Sequence, residues 1–238
     1  MGNTAARRRG SIDYGLGRLL DIYEPDHASG STGVLLWHGS GANERDVLEP
    51  LARQVAASGV ATFVPDWSCD DGGGGQHHLC ASLAFTCDYL AGRGVPRVVL
   101  VGWSLGASAA LDVVLRSTLL GGWRPAAFAG ISGGYSHSPF RGPRAIGVPP
   151  DPSVPLPLLL VHGSSDEVVP VERARLTYEA LRRAGWPVVL HEVASDHAGA
   201  IGTVYDPTAQ RCVPTDEPVR RETLATVAGW ISDLALTS

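Results

Sequence analysis

The chain has 238 residues, of which 44% are hydrophobic and 18% are charged. This composition is typical of a folded protein and excludes an intrinsically disordered chain, and the length suits one α/β domain. The net charge of -5 argues against a nucleic-acid partner, and no apolar run is long enough to predict a membrane span.

The first ten residues are predicted to form a disordered tail, followed by a single domain over residues 11–238. Residues 1–9 carry the positive charge of a signal peptide, but Asp13, Gly15 and Arg18 interrupt any apolar stretch after them. The four cysteines have no metal-type spacing. Reduced thiols in a cytoplasmic protein are therefore expected.

Strand and helix patterns alternate along the domain. A weak alternation over residues 11–23 indicates an antiparallel hairpin. Apolar runs predict strands and helical periodicity predicts helices, with Asn43 as the cap of the first helix. The strands cover residues 33–37, 60–64, 98–101, 126–131, 158–162 and 187–193, and the helices cover 43–58, 76–91, 107–115, 171–184 and 218–234. This alternation predicts an α/β fold with a mostly parallel twisted sheet and helices on both faces.

Two long segments do not fit either pattern. Residues 134–157, after the sixth strand, include many prolines and are predicted to form an ordered loop or lid. Residues 205–217 follow the last predicted strand, and they either cover a site or only connect two elements. In a parallel sheet, ligands bind at the carboxyl ends of the strands, so residues directly after strands are the candidates for chemistry.

The segment Gly102-Trp103-Ser104-Leu105-Gly106 lies between a predicted buried strand and a predicted helix. Glycines two residues before and two after a serine permit a sharp turn that exposes its hydroxyl. The segment resembles the nucleophile elbow of the α/β-hydrolase family, and the alternative is a glycine-rich turn with a surface serine.

The resemblance extends to Asp166 and His197, which follow the last two predicted strands in the family order of nucleophile, acid and histidine. It implies that Ser104 attacks, that His197 transfers the proton and that Asp166 orients His197. Other interpretations remain for each residue. Asp166 also suits a helix start, Glu167 is a rival acid, and His197 also suits a solvated loop. Asp196 is expected to hold the loop, and His162 is expected to be structural.

The same resemblance implies an oxyanion hole made by the backbone amides of Ser40 and Leu105. Leu105 directly follows the nucleophile, and Ser40 lies in the segment His38-Gly39-Ser40-Gly41 after an early strand. Ser40 stands where the lipase form of this segment has glycine, but either residue has an amide to donate. His38 is expected to brace the loop, and a simple tight exit from the strand is the alternative.

Four aromatic residues are candidates for a substrate pocket, although aromatics at such positions are as often part of a core. They are Trp103, Trp67, Tyr135 and Phe140. The segment from Tyr135 to Leu158 is also expected to set the preference for acyl chain length.

Within its superfamily the chain looks most similar to dienelactone-hydrolase-like and carboxylesterase-like members. Because dienelactone hydrolases use cysteine as nucleophile, lactone specificity is not carried over to Ser104. The resemblance implies a serine hydrolase that cleaves ester or thioester bonds of a small-molecule acyl substrate, without metal or cofactor. A thioesterase or lactone hydrolase of a biosynthetic pathway, a small peptidase, and a non-catalytic binding protein of the same fold are the alternatives. The sequence does not determine the oligomeric state.

Overall fold

The computed structural model describes residues 7–27, 31–68, 74–116, 123–140 and 155–238. Within these residues an eight-stranded sheet has the order β1-β2-β4-β3-β5-β6-β7-β8. Its strands are β1 (Arg7–Gly15), β2 (Arg18–Glu24), β3 (Thr32–Trp37), β4 (Thr62–Pro65), β5 (Arg97–Trp103), β6 (Ala127–Ile131), β7 (Leu158–Gly163) and β8 (Val188–Val193). β1 and β2 are antiparallel to their neighbours, and β3 to β8 are parallel to one another. The predicted mostly parallel sheet is confirmed.

Helices cover both faces of this sheet because its central strands are apolar on both sides. In β5, Val99 and Val101 belong to one buried layer, whereas Val98 and Leu100 belong to the opposite layer. Side chains that alternate in this way leave no face of the strand for water. The helices are α1 (Glu49–Ala57), α2 (Gly74–Ala91), α3 (Leu105–Leu115), α4 (Glu172–Arg183) and α5 (Pro218–Thr237).

The two layers differ in the helices that complete them. Residues of α1 and α5 pack with Val99 and Val101, and residues of α2, α3 and α4 pack with Val98 and Leu100. None of the helices in the described residues is long and apolar enough to cross a membrane.

Three expectations from the sequence need correction. The predicted tail extends too far, since β1 begins at Arg7, where Arg7 pairs with Glu24 of β2. Asn43 does not cap a helix: its φ of 55° places it in a left-handed turn. A short 3-10 turn, Asp46–Leu48, precedes α1. Pro50 lies in the first turn of α1 because proline, which has no N–H, is tolerated there but not further inside a helix.

The third correction concerns residues 205–217, which were expected to be a loop. They contain most of a small antiparallel hairpin, β9 (Thr203–Asp206) and β10 (Arg211–Pro214), and within the described residues its strands pair only with each other. Of the lid predicted over residues 134–157, residues 141–154 lie outside the described residues.

Candidate active site

Ser104 lies at the turn between β5 and α3, in a backbone conformation that few residues other than glycine adopt. Its φ and ψ angles are 55° and -120°. A Cβ atom on Gly102 would collide with the backbone of Gly106 and Ala107, and one on Gly106 would collide with the carbonyl oxygens of Trp37 and His38. Both glycines are therefore required by close backbone approach, and strain held at one residue by its surroundings is typical of functional sites.

Asp166 and His197 form a direct pair at the same edge of the sheet. Asp166 follows β7 and His197 follows β8, and Nδ1 of His197 lies 2.7 Å from Oδ2 of Asp166. The other carboxylate oxygen accepts the backbone N–H groups of Val168 at 3.0 Å and Val169 at 2.8 Å. Both side chains of the pair are buried.

The sequence did not predict that His162 also contacts the Asp166 carboxylate. Its Nε2 atom lies 2.8 Å from the carbonyl oxygen of Val169 and 3.3 Å from Oδ2 of Asp166. Since a carbonyl only accepts, Nε2 carries the proton. Burial raises the pKa of Asp166, but hydrogen bonds from His162, His197 and Val169 outweigh it and hold that pKa well below its usual range.

The rival acids have other surroundings. Arg220 of α5 holds both carboxylate oxygens of Asp196 at 2.8 Å, and the N–H of Gly199 donates to the same carboxylate at 2.7 Å. These hydrogen bonds, first those of Arg220, lower the pKa of Asp196. Asp196 thus holds the loop of His197, as the sequence predicted, and the structure shows that it does so through Arg220 of α5. Glu167 has an exposed side chain.

The segment after β3 is held by a buried imidazole. Nε2 of His38 accepts the N–H of Trp67 at 3.2 Å, so Nδ1 carries the proton and donates to the carbonyl oxygen of Gly39 at 3.1 Å. The ring also stacks on Trp67, with centroids 5.4 Å apart. His38 therefore braces the loop that presents Ser40.

A cavity of about 550 Å³ opens in front of Ser104. It is lined by residues of the elbow, the segment after β3, the loops after β7 and β8, and the β9–β10 hairpin. The lining residues are Gly39, Ser40, Glu44, Trp103, Ser104, Ser165, Glu167, Val168, Asp196, His197, Ala198, Tyr205, Gln210, Arg211 and Cys212. The structure thus brings Ser40, Ser104 and His197 together, with Asp166 behind His197.

Of the four candidate pocket aromatics, only Trp103 lines this cavity. Trp67 lies beneath His38, and Tyr135 and Phe140 pack in the layer of α2, α3 and α4. Tyr135 has a φ of 53°, and a Cβ on Gly130 would collide with its hydroxyl group. The left-handed turn thus directs its ring back onto β6.

Four lining residues that no sequence motif singled out come from the hairpin: Tyr205, Gln210, Arg211 and Cys212. The available signal was their position soon after His197. Strands of four residues, one followed by Pro207 and the other ending at Pro214, do not show a strand pattern. Among the described residues, no group of three or more His, Cys, Asp or Glu side chains is placed to hold a metal ion.

No protein-family model matches the sequence, and no curated protein matches it significantly. Solved structures do resemble it in fold. An esterase from the planctomycete Thermogutta terrifontis, with propionate bound, has a TM-score of 0.71 and 17% identity over 98% of this chain and 96% of its own.

Two further structures give similar values. A truncated carbohydrate esterase from gut microbiota has a TM-score of 0.72 and 14% identity over 99% of this chain and 98% of its own. An α/β hydrolase from a Medee basin deep-sea metagenome library has a TM-score of 0.65 and 17% identity over 97% of this chain and 98% of its own. With the sheet order described above, these likenesses confirm the prediction that this chain has the α/β-hydrolase fold.

Proposed function

We propose that this protein is a serine hydrolase that cleaves carboxylic ester bonds through an acyl-enzyme on Ser104. The observation that carries the proposal is the strained Ser104 elbow, which shares one cavity with a histidine whose Nδ1 atom is bonded to a buried carboxylate. A serine hydroxyl needs such a base, and the base needs a group that selects its tautomer.

The tautomer of His197 follows from the chemistry of its partner. The low pKa of Asp166 keeps the carboxylate ionised near neutral pH, and an ionised carboxylate only accepts hydrogen bonds. The proton of a neutral His197 is therefore on Nδ1, and the lone pair of Nε2 is free to act as the base.

The reaction then has two halves. Nε2 of His197 takes the proton of Ser104 as its Oγ attacks the carbonyl carbon, and the proton passes to the alcohol as the ester bond breaks. Water, deprotonated by the same nitrogen, attacks the acyl-enzyme in the second half. This releases the carboxylic acid and restores the Ser104 hydroxyl.

The oxyanion hole is assigned to the backbone N–H groups of Ser40 and Leu105. In a trans peptide the C=O and N–H groups point in opposite directions. The hydrogen bond from His38 to the carbonyl of Gly39 therefore directs the N–H of Ser40 away from His38, and Ser40 lines the cavity. Leu105 is the first residue of α3, whose first N–H groups have no partner within the helix.

Two of the similar solved structures support the proposal of a serine hydrolase. One of the Thermogutta terrifontis esterase structures has propionate bound, and another is phosphorylated by paraoxon. An organophosphate-type probe is therefore a suitable reagent for this chain.

The test uses a fluorophosphonate probe and a panel of p-nitrophenyl esters, thioesters and aminoacyl amides. We expect the wild type to be labelled, and Ser104→Ala to lose labelling and at least about 10⁴-fold in kcat on the preferred ester. Ser165→Ala is the matched control, because Ser165 lines the same cavity, and it should retain both. An unlabelled wild type, or equal labelling of Ser104→Ala, would overturn the proposal, and faster cleavage of thioesters or amides would reassign the bond that is cleaved.

A further inference from the structure

Trp103 directly precedes Ser104 and contacts two other parts of the candidate site. Its side chain is buried, with only 3% of the residue exposed. Its indole Nε1 donates to the backbone carbonyl oxygen of His197 at 3.1 Å. Its ring lies against the His197 imidazole, with centroids 5.1 Å apart and planes at 41°. The ring also lies close to the backbone of Gly39, because a Cβ atom added there would be 3.1 Å from Cζ3 of Trp103.

These contacts act on a residue that has little secondary structure to hold it. His197 lies in the loop between β8, which ends at Val193, and a 3-10 turn at Gly199–Ile201. The Asp166 carboxylate holds its ring at Nδ1, and the indole of Trp103 holds its main chain at the carbonyl. Because His197 is held at both its ring and its main chain, its imidazole has a defined orientation.

The position of Trp103 itself is set by the sheet. It ends β5, where it pairs with Ile131 of β6, and its side chain belongs to the layer formed with α1 and α5. A rigid strand thus places both the nucleophile, one residue later, and the donor that holds the base. Groups placed by strands are held more accurately than groups on loops alone, and small errors in catalytic geometry cost large factors in rate.

We propose that Trp103 is a positioning residue that aligns His197 with Ser104 through its indole N–H, a role that rests on the proposed function. The N–H group contributes to the chemical step, whereas the ring, which also lines the cavity, is a separate contact. Loss of the donor frees the His197 loop to move without removing any member of the proposed triad.

The test replaces Trp103 by Phe, which keeps an aromatic ring and removes the N–H. We expect kcat on the preferred ester to fall by about 10- to 100-fold with KM changed less than about threefold, because a misplaced base slows only the chemistry. The pH dependence of kcat/KM should also shift, since it reports the acid and base of the free enzyme.

The matched control is Trp37→Phe. Trp37 also ends a central strand, is fully buried, and donates its Nε1 proton to Ser82 at 3.1 Å. The same chemical change therefore occurs on a side chain of the opposite apolar layer. We expect Trp37→Phe to lower the midpoint of thermal unfolding and to leave kcat and the pH profile unchanged.

Three outcomes decide the matter. The inference is overturned if W103F has the kcat and pH profile of the wild-type protein, or if W103F and W37F lose kcat equally. In either case, labelling of the wild-type protein by the probe would still support the proposed function. A wild type that neither reacts with the probe nor cleaves esters would overturn the proposed function itself. If W103F does not fold, benzothienylalanine at position 103 replaces only the N–H by sulfur, and it must show the same loss of kcat.

Discussion

The Asp166 carboxylate is surrounded by N–H groups from three directions. Val168 and Val169 donate to one oxygen, and His197 and His162 approach the other. These four residues, which lie in β7, in the loop after it and in the loop after β8, all favour the ionised form. The folded protein therefore binds a proton at Asp166 less readily than the unfolded chain does.

This difference predicts a loss of stability in acid. Because the folded pKa of Asp166 lies below the value of about 3.9 in unfolded chains, its stabilising effect is complete above that value and is lost as the pH falls toward the folded pKa. We expect the difference in unfolding free energy between wild type and Asp166→Asn to shrink between about pH 5 and pH 3. Urea unfolding along this range measures it, and a difference independent of pH would contradict it. Glu167→Gln, at the exposed neighbouring position, should change stability by less than about 0.5 kcal/mol throughout.

At the same scale, the sequence predicts where the candidate residues lie but not what they touch. Ser104, Asp166 and His197 each follow a parallel strand, as predicted, and such strand ends meet at one edge. The contacts of His162 with Asp166 and of Trp103 with His197 depend on side-chain directions, which no spacing along the chain encodes. Tyr135 was wrong as a pocket residue for the same reason.

At the scale of elements, the sequence left open whether residues 205–217 cover a site, and it did not predict that they form the β9–β10 hairpin. In the part of the chain that the structure describes, its strands pair only with each other, and they lack the long apolar runs of the central sheet. Yet it supplies one wall of the cavity through Tyr205 and Cys212. A short hairpin on a loop is free to differ without cost to the core, and specificity commonly resides on such connections.

The hairpin should accordingly affect substrate size more than the chemical step. The Tyr205 side chain lines the cavity and is 56% exposed. We expect Tyr205→Ala to lower the ratio of kcat/KM for p-nitrophenyl octanoate over acetate by about 5- to 30-fold, because it removes a contact with the long acyl chain that is worth about 1–2 kcal/mol. Thr208→Ala, in the exposed turn of the same hairpin, should leave the ratio unchanged. Equal ratios in both variants and wild type would show that the hairpin does not contact the substrate.

At the scale of the whole molecule, the residues that stabilise the fold and the residues of the candidate site lie in different parts of the sheet. The proposed catalytic residues follow β5, β7 and β8 at one edge, whereas the two apolar layers lie on the faces of the sheet. This division was predictable, since strands that are apolar on both sides need helices on both faces. The helix bounds were predicted less well. α1 begins at Glu49, next to Pro50, and not at residue 43, and α5 continues to Thr237, beyond the predicted end at residue 234.

The separation can be tested on α5, which carries both buried and exposed apolar residues. Ile231 is fully buried in the layer with α1, whereas Val219 is 68% exposed on the same helix. We expect Ile231→Ala to lower the unfolding free energy by about 2–5 kcal/mol, because it removes buried methyl groups and leaves a cavity. Val219→Ala should lower it by less than about 0.5 kcal/mol. Urea unfolding gives both values.

The activity of folded Ile231→Ala is expected to change little. Its kcat/KM should stay within about twofold of wild type, because the proposed triad is held by β5, β7 and the loop after β8 and not by this part of α5. A large loss of kcat/KM in folded Ile231→Ala would show that the core and the site are coupled through α5, for which the Arg220–Asp196 pair is the physical connection.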